Sequence, residues 1–315
     1  MNNIVKAIKA SKTFLICMHV DPDGDTIGSA NALSLLLARM GKISDIYSVA
    51  PIPSIYGFLK RKSKLVAKPN KKYDCIIALD CGGTNRIPGG EMIMQYSDLI
   101  INIDHHSDNS MFGDINYVED CSSTGELIFD LAKKLNIKID KDIAECIYTA
   151  MITDTGSFRY NNTSAKVFDI AAQLLRLGVS PYKVASSIYE SRTASEIKIL
   201  GRALEKIRST KDGKIAWVAL SSREIKASKA TSEELRQIVD YVRSLKDAEI
   251  AIFLRETAKD KVKVNFRSKS RNIRKLANMF NGGGHKRASG AVIEGSLSDT
   301  TRKVVSAAKK IWTEL

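Results

Sequence analysis

The sequence predicts an α/β protein with an N-terminal parallel-sheet domain and a smaller C-terminal domain of mixed α+β order, joined by a helical linker. Two observations lead to this fold class. In the first part of the chain, short continuous apolar runs alternate with helical patterns, as expected for a parallel sheet whose strands are buried on both faces. Beyond residue 213, strands and helices follow in mixed order. A chain of 315 residues is long enough for about two domains.

We assign residues 1–190 to the first domain, residues 191–212 to the linker and residues 213–315 to the second domain. The linker is predicted to be a helix because its apolar residues fall on one stripe with polar flanks. They are Ile197, Leu200, Leu204 and Ile207.

The net charge of +14 is unevenly distributed along the chain. Residues 1–210 hold 26 Lys and Arg against 23 Asp and Glu, whereas residues 211–315 hold 23 against 12. A basic final third behind a nearly neutral first part suggests that one segment attracts polyanions and the other does chemistry on them. A solvated lysine-rich surface is the alternative explanation of the same counts.

Composition excludes several classes of protein. No apolar run approaches the roughly 18 residues of a membrane span, and the N-terminus lacks the apolar core of a signal peptide. The five cysteines form no CxxC pair and lie among apolar residues, which favours reduced, buried thiols over disulfides or a zinc site. We therefore expect a globular, cytoplasmic protein that does not bind membranes.

The first predicted strand, residues 13–20, runs into the sequence His19-Val-Asp-Pro-Asp-Gly-Asp25. Its proline and glycine predict a tight turn, and the apolar pattern from Ile27 to Met40 predicts a helix that Gly41 ends. One imidazole and two or three carboxylates thus meet at the carboxyl edge of a strand, where open α/β sheets bind ligands. Because adjacent carboxylates repel each other, a divalent metal is the economical explanation. A capped loop would share the same motif.

The remaining elements of the first domain follow from the same patterns. Further strands are predicted at residues 43–49, 74–80 and 98–104, and further helices at 122–135, 140–151, 165–177 and 182–189. Residues 60–72 are polar and aperiodic, and are predicted to form loop and short helix. Two of the strands end in Asp80 and in Asp104-His105-His106, and Asp154 follows a helical pattern, so four such clusters offer ligands.

The second domain is predicted from shorter runs. Strands are expected at residues 215–220, 249–255, 261–267 and 288–293, helices at 233–245, 274–280 and 300–312, and a hairpin-like turn at 211–214.

All four histidines of the chain, His19, His105, His106 and His285, fall inside candidate motifs. Histidines placed for structural reasons would not be expected to do so, and the joint pattern predicts a metal centre. The carboxylates are too many for one ion and suit two. Mixed imidazole and carboxylate ligation favours Mn²⁺ and admits Co²⁺, Fe²⁺ or Zn²⁺. The candidates are His19, Asp23, Asp25, Asp80, Asp104, His105, His106 and Asp154.

A glycine run in the second domain predicts an anion clamp. Residues without Cβ let backbone amides approach a phosphate, and the cations that follow supply charge. A glycine run alone is usually a flexible turn. Arg267, at the end of a predicted strand, is the expected second phosphate contact, with a surface strand end as the alternative. The clamp residues are Gly282, Gly283, Gly284, His285, Lys286 and Arg287.

In order and spacing these motifs resemble the DHH phosphoesterase superfamily, and Gly282–His285 resembles the signature of its DHH-associated C-terminal domain. Asp21 stands where that family often has asparagine or another polar residue. The resemblance implies that His19, Asp23 and Asp80 hold one Mn²⁺. It implies that a second Mn²⁺ is held by Asp25, Asp80, His105 and Asp154, with Asp80 as the bridge.

The resemblance also implies roles for the remaining residues of the centre. His106 would face the substrate phosphate. We assign Asp104 to the support of a ligating histidine, whose ring N–H its carboxylate would accept, with a helix or turn cap as the alternative. Asp80, Asp104 and His106 are thus the expected catalytic residues.

The activity that the resemblance implies is Mn²⁺-dependent hydrolysis of short oligoribonucleotides to mononucleotides and of pAp to AMP. Dinucleotides such as pApA, or cyclic dinucleotides, are alternative substrates. A RecJ-type single-strand DNA exonuclease fits less well, because the chain lacks an additional oligonucleotide-binding domain. A family II type pyrophosphatase lacks the glycine-rich clamp, and a regulator with an inactive metal site would not need every ligand. The sequence leaves a homodimer open.

Overall fold

The computed structural model describes residues 1–284 and 286–313, so the predicted clamp residue His285 lies outside the described residues. The chain divides into two compact units, Met1–Ser191 and a second unit that begins at Arg192. Within the described ranges, no helix has the length and apolar character needed to cross a membrane. All five cysteines are unpaired thiols, four of them buried and Cys121 half-buried.

The first unit contains six strands and seven α-helices among the described residues. They are α1 (Asn2–Ala10), β1 (Thr13–Cys17), α2 (Gly24–Arg39), β2 (Ile43–Tyr47), β3 (Lys64–Val66), β4 (Cys75–Leu79), α3 (Glu91–Met94), β5 (Ile100–Asp104), β6 (Ile115–Val118), α4 (Thr124–Lys134), α5 (Lys141–Asp154), α6 (Ala165–Arg176) and α7 (Pro181–Tyr189). The strands form one sheet in the order β3-β2-β1-β4-β5-β6, and every pairing is parallel. The predicted parallel-sheet domain is confirmed.

The strand order places the carboxyl ends of β1 and β4 side by side at the point where the chain reverses its direction of winding. In an open α/β sheet this switch point is where ligands bind. One face of the sheet is covered by α2, α4 and α5, whose apolar residues form the largest buried cluster with those of β1, β4 and β5. The three strands that carry the predicted ligands are therefore held rigidly in the centre of the sheet.

The second unit is a mixed α+β structure, as predicted. Its elements are α8 (Ala194–Glu205), β7 (Arg208–Ser209), β8 (Ile215–Leu220), α9 (Ser222–Ser228), α10 (Ile238–Arg243), β9 (Ile250–Ala258), β10 (Lys261–Ser268), α11 (Arg274–Asn278), β11 (Gly283–Gly284), β12 (Ala288–Glu294) and α12 (Leu297–Thr313). The sheet order is β11-β12-β10-β9-β8-β7, with β8 and β9 parallel and the other pairs antiparallel. Helix α8 is part of this unit, where Ile199 and Ala203 are buried.

Several predicted boundaries in the first unit are wrong, among them the end of the first strand, which is Cys17 rather than residue 20. Helix α2 begins at Gly24 rather than Ile27, because Asp23 caps it by accepting the amide N–H groups of Asp25 and Thr26. Helix α5 ends at Asp154 rather than at residue 151, so Asp154 is its last residue. The segment 60–72 contains the edge strand β3, whose three residues carry no alternating burial pattern that the sequence could reveal. In the second unit, α10 is shorter than the predicted helix at 233–245.

Close packing of α2 on α5 brings their polar ends together. A Cβ added at Gly28 would stand 2.5 Å from the carbonyl oxygen of Cys146 and 2.9 Å from the amide nitrogen of Ala150. At Gly24, an added Cβ would stand 2.4 Å from the side chain of Thr153. The absence of side chains at these two positions of α2 therefore lets Asp25, in its first turn, approach Asp154 at the end of α5.

Replacing Gly28 with alanine is expected to lower the free energy of unfolding by about 1 to 3 kcal/mol, the usual cost of overpacking a core. Gly201 in α8 is the matched control, because an added Cβ there would meet no atom of the described residues within 4 Å. Gly201→Ala is expected to stabilise its helix by up to about 1 kcal/mol. Urea denaturation of the variants measures both effects, and a neutral Gly28→Ala would contradict the close helix contact.

Candidate metal centre

Asp80 lies at the centre of the predicted site, immediately after β4. Its backbone is left-handed, with φ of 58°, a conformation that costs a residue with a side chain free energy. In this conformation the buried carboxylate contacts groups on two sides. Its Oδ2 lies 3.5 Å from His19 Nε2, and its Oδ1 lies 3.5 Å from His105 Nε2. Asp80 is thus placed between two imidazoles, as a bridging ligand would be.

The first of these imidazoles belongs to the loop after β1. His19 is buried, and its Nε2 lies 3.7 Å from Asp23 Oδ1 as well as 3.5 Å from Asp80. Asp23 is fixed in turn because the same oxygen caps α2. The structure therefore brings His19, Asp23 and Asp80 together at the carboxyl ends of β1 and β4, with one ligand atom from each within 4.8 Å of the others.

The second imidazole belongs to His105, just after β5. Its Nε2 lies 3.6 Å from Asp25 Oδ2, 3.5 Å from Asp80 Oδ1 and 3.6 Å from Asp154 Oδ2. That buried nitrogen has no hydrogen-bond partner among the described residues. On the other side of the ring, His105 Nδ1 lies 3.3 Å from the carbonyl oxygen of Cys121, which would accept its N–H. This contact leaves Nε2 as the ring nitrogen that faces the carboxylates and could bind a metal.

Asp25 is held by the start of α4. The amides of Thr124 and Gly125 donate to its two carboxylate oxygens at 2.8 and 3.0 Å, and the hydroxyl of Ser29 donates at 3.1 Å. The positive end of the α4 dipole adds to these interactions. Thr124 also places its hydroxyl 3.4 Å from Asp80. Helix α4 therefore holds Asp25, and through Thr124 also contacts Asp80, although neighbouring carboxylates repel each other.

These residues fit a divalent metal. Ligand atoms about 2.1 Å from a shared tetrahedral ion lie about 3.4 Å from one another, close to the separations around His105 Nε2. These separations are too long for strong hydrogen bonds. His105 Nε2 is buried, faces three carboxylates and has no hydrogen-bond partner among the described residues. A cation bound between these groups would satisfy all of them.

The pKa values of the buried groups indicate that this site favours positive charge. Burial lowers the pKa of His19, but the neighbouring carboxylates of Asp23 and Asp80 outweigh it and raise that pKa to about 10. Burial also lowers the pKa of His105, but the neighbouring carboxylates outweigh burial and raise that pKa well above its usual value. Burial and the neighbouring Asp80 carboxylate raise the pKa of Asp154 to about 6. In the metal-free protein, protons therefore supply the charge that a metal would provide.

Asp104 supports His106 rather than a predicted ligand. Asp104 is fully buried, and its Oδ1 accepts the Nδ1–H of His106 at 2.7 Å and the amide N–H of His105 at 2.9 Å. We expected this carboxylate to orient a ligating histidine, but His105 uses the carbonyl of Cys121 instead. The interaction with Asp104 overcomes the effect of burial and raises the pKa of His106.

Sequence reasoning missed Asn109, the residue that completes this network. Its amide nitrogen donates to Asp104 Oδ2 at 2.5 Å and to the carbonyl oxygen of Cys81 at 3.1 Å. Its amide oxygen accepts from Asn102 Nδ2 at 2.9 Å and from the amide of Met111 at 2.7 Å. Asn109 thereby ties the loop after β5 to the loop after β4. A polar residue in the turn after Asp104-His105-His106 was the available signal.

The predicted substrate residues of the second unit have structural roles in part. Arg267 Nε lies 3.4 Å from Asp240 Oδ1. An added Cβ at Gly282 would stand 2.2 Å from the carbonyl oxygen of Gly290, and one at Gly284 would stand 2.6 Å from that of Ala288. Of the three glycines, Gly283 alone faces open space within the described structure. Packing against β12 therefore requires the other two, whatever they bind. Arg287 is exposed beside them.

Two known domain families match the sequence of this chain. The DHH family N-terminal domain matches residues 13–151, and the DHHA1 domain matches residues 212–314. The chain contains a DHH domain and a DHHA1 domain. The resemblance noted in the sequence motifs is confirmed, and the DHH domain carries the whole group of residues around Asp80 except Asp154, which follows directly.

Curated relatives of this DHH chain cover nearly its full length. It is 29% identical to the bifunctional oligoribonuclease and PAP phosphatase NrnA of Thermus thermophilus, over 98% of this chain and 93% of the relative. The protein of that name from Bacillus subtilis is 28% identical, over 92% of each chain. A crystal structure of an exopolyphosphatase-related protein from Bacteroides fragilis superposes with a TM-score of 0.90 at 27% identity, covering 99% of this chain and 95% of the other.

Proposed function

We propose that this DHH chain is a metal-dependent phosphohydrolase that degrades short oligoribonucleotides to mononucleotides and dephosphorylates pAp to AMP. The observation that carries the proposal is that two imidazoles and three further carboxylates, from separate elements of the first unit, converge on Asp80. The names of the Thermus and Bacillus relatives, which match almost end to end, support this substrate class.

The proposed cofactor is two Mn²⁺ per chain, with Co²⁺, Fe²⁺ or Zn²⁺ as substitutes. His19, Asp23 and Asp80 would hold one ion, and Asp25, Asp80, His105 and Asp154 the other. When bound, such a pair lowers the pKa of water to near neutrality and stabilises charge on a transferring phosphoryl group.

The protein's own residues prepare the site for a phosphate. His106 is proposed to contact the substrate, and Asp104 holds its ring by accepting the Nδ1–H. This contact raises the pKa of His106 and so favours the form of the ring in which both nitrogens carry a proton. Its Nε2–H is then available to donate to a phosphate oxygen as negative charge develops. Asp104, held by Asn109, keeps the ring in this orientation.

The second unit is proposed to bind another part of the substrate. Amides of Gly282, Gly283 and Gly284, with the side chains of His285 and Arg287, would contact a phosphate, and Arg267 would add a second contact. In this proposal residues 1–190 form the catalytic domain, residues 191–212 the linker and residues 213–315 the substrate-binding domain. The excess of Lys and Arg after residue 211 supports this division.

A substrate series in Mn²⁺ tests the proposed function. The series comprises pAp, pApA, RNAs of two to five nucleotides, a cyclic dinucleotide and long single-stranded DNA. The proposal predicts turnover of pAp and of the short RNAs, with long DNA left intact. Preference for pApA or the cyclic dinucleotide over pAp would favour a dinucleotide phosphodiesterase, and equal turnover of long DNA would contradict the short-substrate specificity.

Metal binding is expected to release protons, because His19, with its pKa raised to about 10, is protonated in the metal-free protein at pH 7. The neighbouring carboxylates also raise the pKa of His105, which favours its protonated form in the metal-free protein. A metal must displace both protons, so apparent affinity should rise with pH, by about tenfold per pH unit for each proton displaced. Calorimetry of Mn²⁺ binding, in buffers of different ionisation enthalpy between pH 6 and 8, measures the release. Affinity that does not change with pH would contradict ligation by these imidazoles.

A further inference from the structure

A second basic region lies in the first unit, in the segment of residues 60–72, here named the basic strap. Seven of its residues are Lys or Arg, none is Asp or Glu, and all seven cationic side chains are exposed. They are Lys60, Arg61, Lys62, Lys64, Lys68, Lys71 and Lys72. Like charges at this density repel one another, and such a cluster attracts polyanions.

Protection of an edge strand explains only part of the strap. Strand β3 forms the edge of the sheet, and lysines on an edge strand discourage pairing with other chains. That explanation applies to Lys64, which lies on β3, and to residues 60–62, which lead into it. It does not apply to Lys68, Lys71 and Lys72, which follow the strand.

The backbone of the strap is anchored at both ends. The amides of Lys62 and Ser63 donate to Ser34 Oγ at 3.1 and 2.9 Å. Just beyond the other end, the amide of the buried Tyr73 donates to the carbonyl oxygen of Tyr96 at 2.8 Å, and its hydroxyl donates to Asp45 Oδ2 at 2.7 Å. The lysines between these anchors are therefore presented from a fixed chain, which reduces the entropy lost when they bind a ligand.

The last three lysines line a groove of about 1030 Å³. Small-molecule sites have volumes of about 300 to 1,000 Å³, so the groove is large enough for a nucleotide. Met92, which is 68% exposed, and the half-buried Tyr96 give it apolar and aromatic surface on which a base could lie. Cations beside such a surface are the combination that binds single-stranded nucleic acids.

Acidic partners neutralise this lysine group only weakly. Lys71 Nζ lies 3.5 Å from Asp45 Oδ2, and Lys72 Nζ lies 4.0 Å from a carboxylate oxygen of the fully exposed Asp98. The exposed pair of Lys72 and Asp98 contributes about 0 to 1 kcal/mol, so a phosphate can displace it. Asp45, the partner of Lys71, is only 13% exposed and also accepts a hydrogen bond from the hydroxyl of Tyr73. Within the described part of the chain, Lys68 has no carboxylate within 4 Å.

We propose that the groove beside Lys68, Lys71 and Lys72 binds the sugar–phosphate backbone of a single-stranded oligonucleotide, at nucleotides beyond the one at the metal centre. Lys68 follows the carboxyl end of β3, which lies on the same sheet edge as the metal centre and two strands from β1, whereas Lys71 and Lys72 directly precede β4 and lie toward the opposite edge. This inference rests on the proposed function, from which it takes the identity of the substrate. The groove would bind the part of that substrate that is not cleaved.

The test compares the triple variant K68Q/K71Q/K72Q with the control K133Q/K134Q/K138Q, which removes three charges elsewhere on the unit. Anisotropy of a fluorescein-labelled eight-nucleotide RNA is measured in EDTA over a range of salt concentrations. Each lost phosphate contact lowers the salt-dependence slope of single-strand binding by about 0.7. The strap variant should therefore lose about 2 in slope and at least about tenfold in affinity at low salt, and Lys68→Gln alone about 0.7.

Unchanged binding in the strap variant, an equal loss in the control, or equally tight binding of a poly-glutamate peptide would overturn the proposal. Turnover of pAp in Mn²⁺ should be unchanged in the strap variant, because pAp has no nucleotide to place in the groove. If wild type binds the RNA through the strap but hydrolyses no RNA in Mn²⁺, the proposed function fails and the groove assignment stands. The two failures are therefore distinguishable.

Discussion

Asp80→Ala is expected to abolish turnover of pAp and of short RNAs and to reduce bound Mn²⁺ to at most one ion per chain. The reason is geometric, because this one carboxylate contacts His19 with one oxygen and His105 with the other. Its removal therefore withdraws a ligand from both proposed ions at once. Metal analysis of the purified variant, together with rates on pAp, measures both effects.

Asp98→Ala is the control for this variant, because Asp98 is a fully exposed aspartate in the same unit. It should keep both ions and the wild-type rate. Circular dichroism establishes that Asp80→Ala is folded before its metal content is compared. Two ions per chain and a near-normal rate in the folded variant would show that Asp80 does not bridge them.

His106→Ala is expected to lower kcat by a factor of about 10² to 10³ and to leave the metal content unchanged. A loss of this size is typical when one donor to a transition state is removed. The prediction separates two roles, because His106 Nδ1 also lies 3.6 Å from Asp80 Oδ1. Metal analysis and single-turnover rates on pAp distinguish a substrate contact from a metal ligand.

His106→Gln provides the matched comparison, since its amide can still donate to a phosphate oxygen. It should lose less activity than His106→Ala and should also keep both ions. If either variant instead loses metal, His106 is a ligand, and the proposed phosphate contact must be assigned to another group.

The residues at the ends of β4 and β5 were predictable because the signal is local. Continuous apolar runs mark strands buried on both faces, and a charged residue that ends such a run must lie at the sheet edge. Asp80 and Asp104 follow from this rule alone. That parallel strands end at one edge then suggests that His19 and His105 lie near them.

The contributions of helices could not be predicted in the same way. Asp25 lies in the first turn of α2 and Asp154 at the end of α5, and their approach depends on close packing at Gly24 and Gly28. The left-handed backbone of Asp80 depends on the groups that surround it in the folded chain. Asn109 acts through hydrogen bonds to two different loops, a tertiary arrangement that no local pattern encodes.

The glycine run of the second unit was visible in the sequence, but its role could not be predicted. Its sequence suggested an open phosphate loop, but Gly283 and Gly284 form the short strand β11 on β12, and crowding at Gly282 and Gly284 excludes side chains. Close packing and phosphate binding would both require glycine at these positions. The sequence pattern therefore could not separate the two reasons for these glycines.

Titration of the metal-free protein with Mn²⁺, with bound metal and pAp hydrolysis followed in the same samples, tests the central claim most directly. We predict no turnover in EDTA, two ions bound per chain at saturation, and full activity only when both have bound. Hydrolysis that persists in EDTA, or full activity with a single bound ion, would contradict a centre of two metal ions bridged by Asp80.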